Sequence, residues 1–152
     1  MADYEQQIPM LLTELGQIWH QTIPVSAFMQ ITPALYLNDE FEVHAPLAPN
    51  INLHQTMFAG SIYTLMTLTG WGAVWLNQQL QGVKGDIVLA DAHIRYHAPV
   101  TCSPVAKVRW QGVDLSVLAK GQRAKVTLNV ALYCQSVLCA SFEGLYISLP
   151  SS

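Results

Sequence analysis

Charge is the scarcest feature of this sequence. Asp, Glu, Lys and Arg make up only 11% of its 152 residues, whereas charged residues usually form about a quarter of a soluble domain. The few Lys and Arg are scattered, so no basic stripe for nucleic acid or anionic lipid is present. Hydrophobic residues make up 51%. We therefore expect part of the surface to be covered by a partner subunit or by a membrane.

The cysteines and the amino terminus bear on the compartment. Cys102, Cys134 and Cys139 are odd in number and lack the spacing of metal ligands. We interpret them as ordinary core or surface residues, because a free thiol in a strand behaves as a small apolar group. A secreted domain seldom carries an unpaired set, and no signal-peptide pattern opens the chain. The sequence predicts a cytoplasmic protein without a metal site.

No repeat, low-complexity tract or linker divides the chain. Its length is that of one domain, for which about 100–200 residues are usual. We expect a single domain over residues 1–152, with a helical extension over residues 1–24. Residues 57–76 carry no charge and are long enough to cross a bilayer, which needs about 20 residues. Their polar residues and the lack of flanking Lys or Arg clusters favour a buried helix of a soluble domain instead.

Hydrophobic periodicity predicts a helix, two strands and then a long helix. Apolar residues at helical spacing predict a helix over residues 4–20 that ends before Pro24. Alternation predicts strands at residues 29–37 and 41–45, and Pro33 in the first of them indicates an edge position or a bulge. After a loop, the long helix should begin with Thr56 as its N-cap and end near residues 81–82.

Four alternating segments complete the chain, at residues 88–96, 106–110, 123–134 and 137–149. In the first of these, Val88 and Ala90 should share the apolar face with Ala92, while Asp91 and His93 lie on the polar face. Strands clustered around one helix indicate an α+β domain with an antiparallel sheet. The long helix is the only element apolar enough to fill the concave side of that sheet.

Three segments resemble the hotdog-fold thioesterases. Residues 50–66 (Asn-Ile-Asn-Leu-His-Gln-Thr-Met-Phe-Ala-Gly and onward) resemble the segment that opens their central helix. Residues 94–100 resemble the strand after that helix, and Lys-Gly-Gln-Arg at residues 120–123 resembles the entry to their last hairpin. The subgroup named for the YiiD carboxyl-terminal domain is the most similar, over roughly residues 25–149. The resemblance implies a long helix wrapped by a curved sheet, and a homodimer or higher oligomer whose sheets join edge to edge, with active sites at the interface.

Thioester hydrolysis needs stabilisation of the oxyanion on the carbonyl and an activated water. By the resemblance, the backbone N–H groups of Ala59 and Gly60 at the helix amino terminus would bind the oxyanion. Gly60 equally suits a packing role. Many thioesterases of this fold carry Asp or Glu about two turns into the helix, and Thr67 takes that position here. Threonine can orient a water but cannot serve as a carboxylate base or nucleophile.

Other side chains could take part in place of the missing acid. Asn52 matches the family's asparagine, which would hold the carbonyl or the water, and it equally suits a turn. Asp91 and His93 could form an acid–base pair across the dimer, although alternation also allows a solvated pair. His54 and Thr56 are further substrate-binding candidates, with a solvated loop histidine and a plain helix cap as the alternatives.

A CoA substrate would bring phosphates, for which Lys120, Arg123 and Lys125 are the candidates by resemblance; a solvated strand edge explains them equally well. We expect no cofactor beyond the CoA of the substrate, and no nucleic-acid or membrane partner. The sequence predicts a thioesterase acting on acyl-CoA or on an acyl-carrier thioester. Thr67 leaves open a non-catalytic acyl-CoA or acyl-carrier binding module, and a dehydratase ranks third because the helix carries no paired histidine and acid.

Overall fold

The computed structural model describes residues 2–151. Its helices are α1 (Ala2–Thr22), α2 (Pro24–Phe28) and α3 (Ala59–Gln81), and two short 3-10 helices span Ala48–Asn50 and Ser116–Lys120. Its strands are β1 (Thr32–Leu37), β2 (Glu40–His44), β3 (Gly85–Tyr96), β4 (Val105–Arg109), β5 (Ala124–Cys134) and β6 (Val137–Pro150). The order of helices and strands follows the sequence prediction, with α2 and the 3-10 helices added.

The six strands form one antiparallel sheet in the order β1-β2-β4-β5-β6-β3, which leaves β1 and β3 at the edges. The central helix α3 packs against β2 to β6. Every second residue of β5 is buried along its whole length, so its apolar face turns toward the helix as the alternation predicted. The predicted α+β architecture, a long helix wrapped by an antiparallel sheet, is confirmed.

The predicted amino-terminal cap of the central helix is wrong. The helix begins at Ala59, and Phe58 is its N-cap with an extended backbone. Met57 and Phe58 donate their N–H groups to the carbonyls of Val100 and Asn50 instead of starting a helical turn. Thr56 therefore stays in the loop. The other end is as predicted, because Gly82 takes a left-handed conformation with a φ of 69°.

The first strand is shorter at its start than the alternation predicted. Residues 24–28 form α2, and Met29 is its C-cap, so β1 begins only at Thr32. The expectation for Pro33 is confirmed in both respects. β1 is an edge strand, and its register against β2 shifts between Pro33 and Leu35.

The predicted faces of β3 are correct in only one half of the strand. Val88 is 45% exposed, whereas its neighbour Ile87 is buried. A register shift between Leu89 and Asp91 adds one residue to β3 opposite β6, and such a bulge reverses which residues face inward. Beyond it Ala92 faces the core as predicted. Val88 and Ala90 therefore do not share its face.

Two of the three cysteines are paired, which corrects their interpretation as unpaired residues. Cys102 and Cys134 form a disulfide, and Cys139 is buried and free. The loop after β3 folds back to the end of β5, a long-range contact that spacing along the chain does not reveal. Within residues 2–151, no helix has the length and hydropathy needed to span a membrane. The same part of the chain contains no cluster of three potential metal ligands.

Candidate functional site

The amino terminus of α3 opens on a cleft of about 390 Å³. One wall comes from the loop before the helix and from its first turn, and the other from the end of β3 and the loop that follows. The lining residues are Asn52, Thr56, Met57, Ala59, Ile62, Tyr96, His97, Ala98, Pro99 and Val100. Segments that resemble thioesterases, around residues 52–62 and 94–100, thus meet at one place.

Unpaired backbone donors lie at this end of the helix. Phe58 donates its N–H to the carbonyl of Asn50 at 2.8 Å, and the first intrahelical bond runs from Ile62 to Phe58 at 3.0 Å. Between them, the N–H groups of residues 59–61 have no acceptor in the described chain. Such groups carry the positive end of the helix dipole and favour a negative charge in front of them. A helix terminus of this kind can bind an anion.

Tyr96 fixes the position of this helix end. Its hydroxyl donates to the carbonyl of Ala59 at 2.9 Å. The pKa of Tyr96 is raised, first by partial burial and then by the nearby Tyr63, so the phenol remains a donor. Sequence reasoning missed Tyr96 because it assigned the residue only to an apolar strand face. The signal available in the sequence was its place just before the predicted Pro-Val step at residues 99–100.

Asn52 organises the turn beside the cleft. Its side-chain oxygen accepts the N–H of His54 at 2.9 Å and that of Thr56 at 3.3 Å, and its amide nitrogen lies 3.1 Å from the Thr56 hydroxyl. The turn-ordering interpretation therefore holds within one chain, while Asn52 and Thr56 also line the cleft. His54 joins this network through its backbone N–H.

Asn50 is a positioning residue that sequence reasoning did not single out. Its side chain is 2% exposed, and its amide nitrogen donates to the carbonyls of Met29 at 3.0 Å and Pro46 at 2.8 Å. Its own carbonyl accepts the N–H of Phe58. Asn50 thus ties the loop to the start of the helix. Its place at the head of the thioesterase-like segment was the only sequence signal.

Thr67 differs from the other threonines of the helix. Thr64 and Thr69 each donate their hydroxyl to the carbonyl four residues back, as threonine in a helix commonly does. The Thr67 hydroxyl is buried and has no hydrogen-bond partner among the described residues. Its carbonyl accepts the hydroxyl of Tyr146 at 2.7 Å. A buried polar atom that has no hydrogen-bond partner in the chain is expected to bond to a water or a ligand.

Comparison with known proteins agrees with these observations. Residues 12–150 match the family model described as "Putative thioesterase (yiiD_Cterm)". The chain belongs to this family. A "putative thioesterase" from Shewanella oneidensis has 65% identity and a TM-score of 0.92, over 93% of this chain and 99% of that one. A protein of unknown function from Chlorobaculum tepidum TLS has 28% identity and a TM-score of 0.80, over 91% and 94%. A "probable thioesterase" from Pseudomonas aeruginosa, at 20% identity and a TM-score of 0.71 over 91% and 96%, shares the fold.

Membership of the YiiD-type thioesterase family confirms the hotdog fold. By the resemblance, Thr67 takes the position where many thioesterases of this fold carry an acid, and its hydroxyl has no hydrogen-bond partner among the described residues. The N–H groups of Ala59 and Gly60, the oxyanion donors that the resemblance implies, have no acceptor among the described residues. A Cβ on Gly60 would lie 2.5 Å from the ring of Phe58, so Gly60 also serves close packing.

Asp91 and His93 do not reach the cleft of their own chain. Their side chains lie 4.0 Å apart and are 68% and 78% exposed, on the outer face of the sheet. Asp91 precedes Tyr96 by five residues, about 17 Å along a strand. In a single chain of this thioesterase family member the pair is solvated, which is the alternative that alternation allowed.

Lys120 and Arg123 lie at the opposite end of the sheet from the cleft. Arg123 directly precedes β5, whose first residue pairs with Ser148 of β6. Tyr96 pairs with Ala140 of β6. Ala140 in turn pairs with Leu132 of β5. Leu132 lies eight residues, about 27 Å, from the first residue of β5. Within one chain, the predicted phosphate-binding residues and the helix terminus are therefore far apart.

Proposed function

We propose that this protein hydrolyses an acyl thioester carried on CoA or on a carrier protein, at the amino terminus of α3. The observation that carries the proposal is the set of unpaired N–H groups at residues 59–61, which open on a cleft in a chain of a thioesterase family. Preorganised donors of this kind stabilise the charge that develops in acyl transfer.

The reaction needs one water and no cofactor. The water oxygen adds to the carbonyl carbon, and the electron pair of the C=O bond moves onto the carbonyl oxygen. The N–H groups of Ala59 and Gly60 bind that oxyanion. When the C=O bond re-forms, the C–S bond breaks and the thiolate leaves; the proton lost by the water balances the thiolate, giving a carboxylic acid and a thiol.

Thr67 is proposed to orient the attacking water. Its buried hydroxyl has no partner in the described chain and lies two helical turns beyond the oxyanion donors. It cannot remove a proton as a carboxylate would. The chemistry therefore depends on orientation and oxyanion binding, and we expect slower turnover than for a hotdog thioesterase with an acid at this position.

A second subunit is proposed to complete the site. β3 is an edge strand of 12 residues, and it exposes the large side chains of Val88 and Tyr96. An unpaired edge of this length is suited to pairing with another strand. If two β3 strands pair antiparallel, the Tyr96 end of one lies beside the Gly85 end of the other. The partner subunit's Arg123 would then approach the cleft and could bind the phosphates of CoA.

The test is hydrolysis by the purified protein across a panel of short to long acyl-CoA substrates, with release of the free thiol measured. Turnover of one or more substrates is expected. Asn52→Ala and Asp91→Ala would then show whether the turn or the interface pair contributes. The mass in solution should be that of a dimer or a higher oligomer, and a monomer would contradict the interfacial site.

A non-catalytic acyl-CoA or acyl-carrier binding module is the second candidate, and Thr67 is the observation that favours it. Thr67→Asp would restore a carboxylate to the helix and should raise hydrolysis if the helix site is catalytic. Thr67→Asn is the matched control, because asparagine has the shape of aspartate but no ionisable oxygen. Binding of acyl-CoA without hydrolysis in the wild type, and no gain in Thr67→Asp, would favour the binding module.

A further inference from the structure

Three of the residues that line the cleft at the amino terminus of α3 belong to the hydrophobic core. Met57, Ile62 and Val100 are 3%, 4% and 0% exposed, so the cleft reaches down to buried apolar side chains. Asn52 and Thr56, which also line it, are partly exposed. The cleft therefore has an apolar floor, formed by Met57, Ile62 and Val100, and polar groups nearer its opening.

Backbone hydrogen bonds hold this floor in place. Met57 donates its N–H to the carbonyl of Val100 at 3.0 Å, which joins the loop before the helix to the loop after β3. Ile62 donates its N–H to the carbonyl of Phe58 at 3.0 Å, the first bond of the helix. The floor is thus formed before any ligand arrives, and little conformational freedom would be lost on binding there.

Ile62 closes the floor on the side of the helix. Leu65 and Met66 come next on the same helix face, and both are fully buried and do not line the cleft. Among the described residues, the cleft therefore does not continue along this face. Ile62 lies three residues beyond Ala59, about 4.5 Å along the helix axis. An acyl chain whose carbonyl sits at the first helical N–H groups would meet Ile62 within a few carbons.

The two parts of an acyl thioester on either side of the sulfur differ in polarity. The acyl chain is apolar and gains free energy when it leaves water for an apolar surface. The pantetheine arm carries amide groups, whose burial without hydrogen-bond partners is costly. The floor therefore suits the acyl chain and the opening suits the arm. The cleft volume of about 390 Å³ is small for a ligand site, for which about 300–1,000 Å³ is usual.

We propose that Met57, Ile62 and Val100 bind the acyl chain of the substrate, and that Ile62 limits this chain to a short one. The inference rests on the proposed function and names its substrate class, thioesters of short acyl chains. Each added methylene strengthens binding until the chain meets Ile62. A longer chain must displace packed core side chains or turn out into water, and both are unfavourable.

The first test compares kcat/KM across straight-chain acyl-CoA substrates for the wild type and Ile62→Ala. The wild type should prefer short chains, and Ile62→Ala should raise the ratio of long-chain to short-chain kcat/KM by about tenfold or more. Ile62→Val removes a single methyl group with little loss of stability, and it should shift the preference in the same direction by less. A wild type that prefers long chains, or an unchanged preference in both variants, would overturn the inference.

Ile87→Ala is the matched control for a truncated core isoleucine. Ile87 is 9% exposed, lies near the start of β3 and does not line the cleft. This variant should lose stability as Ile62→Ala does and keep the chain-length preference of the wild type. The same shift in Ile87→Ala would assign the effect to general loosening of the core and refute the role of Ile62.

A binding measurement separates this inference from the proposed function. The probes are S-ethyl-, S-butyl-, S-hexyl- and S-octyl-CoA, thioethers that no thioesterase can hydrolyse, and their affinities are measured by calorimetry. Wild-type affinity should rise along the shorter members and then stop rising, whereas in Ile62→Ala it should rise further along the series. If the wild type hydrolyses no thioester but shows this pattern, the proposed function fails and the acyl floor stands. The same dependence on chain length in both proteins, or none in the wild type, would refute the floor.

Discussion

Gly70→Ala tests how closely the central helix sits on the sheet. A Cβ at position 70 would collide with the hydroxyl of Tyr146 and would lie 2.6 Å from two carbons of its ring. Tyr146 is fully buried and cannot easily move away. On its other side a Cβ on Gly144 would lie 2.8 Å from the same ring. The ring is thus held between the helix and its own strand.

The expected loss of stability follows from three terms. Adding a methyl group to a packed site costs about 1–3 kcal/mol. Displacing Tyr146 weakens its hydrogen bond to the carbonyl of Thr67, a loss of about 0.5–1.5 kcal/mol. Alanine in place of glycine in a helix returns roughly 0.5–1 kcal/mol. The balance is a destabilisation of about 2 kcal/mol, or a melting temperature lower by roughly 4–8 °C for a chain of this length.

Urea unfolding followed by circular dichroism measures this difference, at one fixed protein concentration because an oligomer's stability depends on it. Gly16→Ala in α1 is the matched control. Its Cβ would meet only the ring of Pro33, at the ordinary contact distance of 3.4 Å, so it should be stabilising by about 0.5–1 kcal/mol. If Gly70→Ala proves as stable as Gly16→Ala, the close seating of α3 on Tyr146 is wrong.

Three further predictions concern stability and the state of the cysteines. Alkylation of the protein unfolded without reductant should modify Cys139 alone, and modification of all three cysteines would contradict the disulfide. Asn50→Ala should destabilise by about 1–3 kcal/mol in urea, because one buried and one partly buried carbonyl lose their donor; wild-type stability would exclude its positioning role. Burial raises the pKa of Tyr146 above the usual value, so its neutral form stabilises the fold fully below about pH 10, and this contribution is lost as pH rises further. Tyr146→Phe should flatten that decline, and an equal decline in both proteins would count against it.

Local patterns predicted the strands well wherever the chain stays regular. The alternation of β5 is unbroken, and both its bounds and its buried face were predicted to within one residue. β3 shows the opposite case, because the bulge between Leu89 and Asp91 depends on its pairing with β6. The residue composition of a strand does not reveal a bulge of this kind. Period-two reasoning therefore placed Val88 on the wrong face.

The candidate site was predictable only in the parts that are close in sequence. The resemblance pointed to Ala59, Gly60 and Thr67 because they lie on one helix. Tyr96 lies 37 residues from Ala59, and nothing in the helix segment indicates that they meet. The same holds for the Thr56 cap, which failed because the N–H groups of the next two residues bond the carbonyls of Val100 and Asn50 and do not start the helix. Contacts between distant segments decide these positions.

Several exposed features of the chain lie on the side of the sheet that ends in β3. β3 is one of the two edge strands, and Tyr96 at its end is half-exposed. The free N–H groups of the helix open on the same region. A partner that pairs with the β3 edge would lie against exposed Tyr96 at the end of that strand. The scarcity of charge, the β3 edge and the open helix terminus thus favour the proposed association of two chains at β3, in which the interface would complete the site.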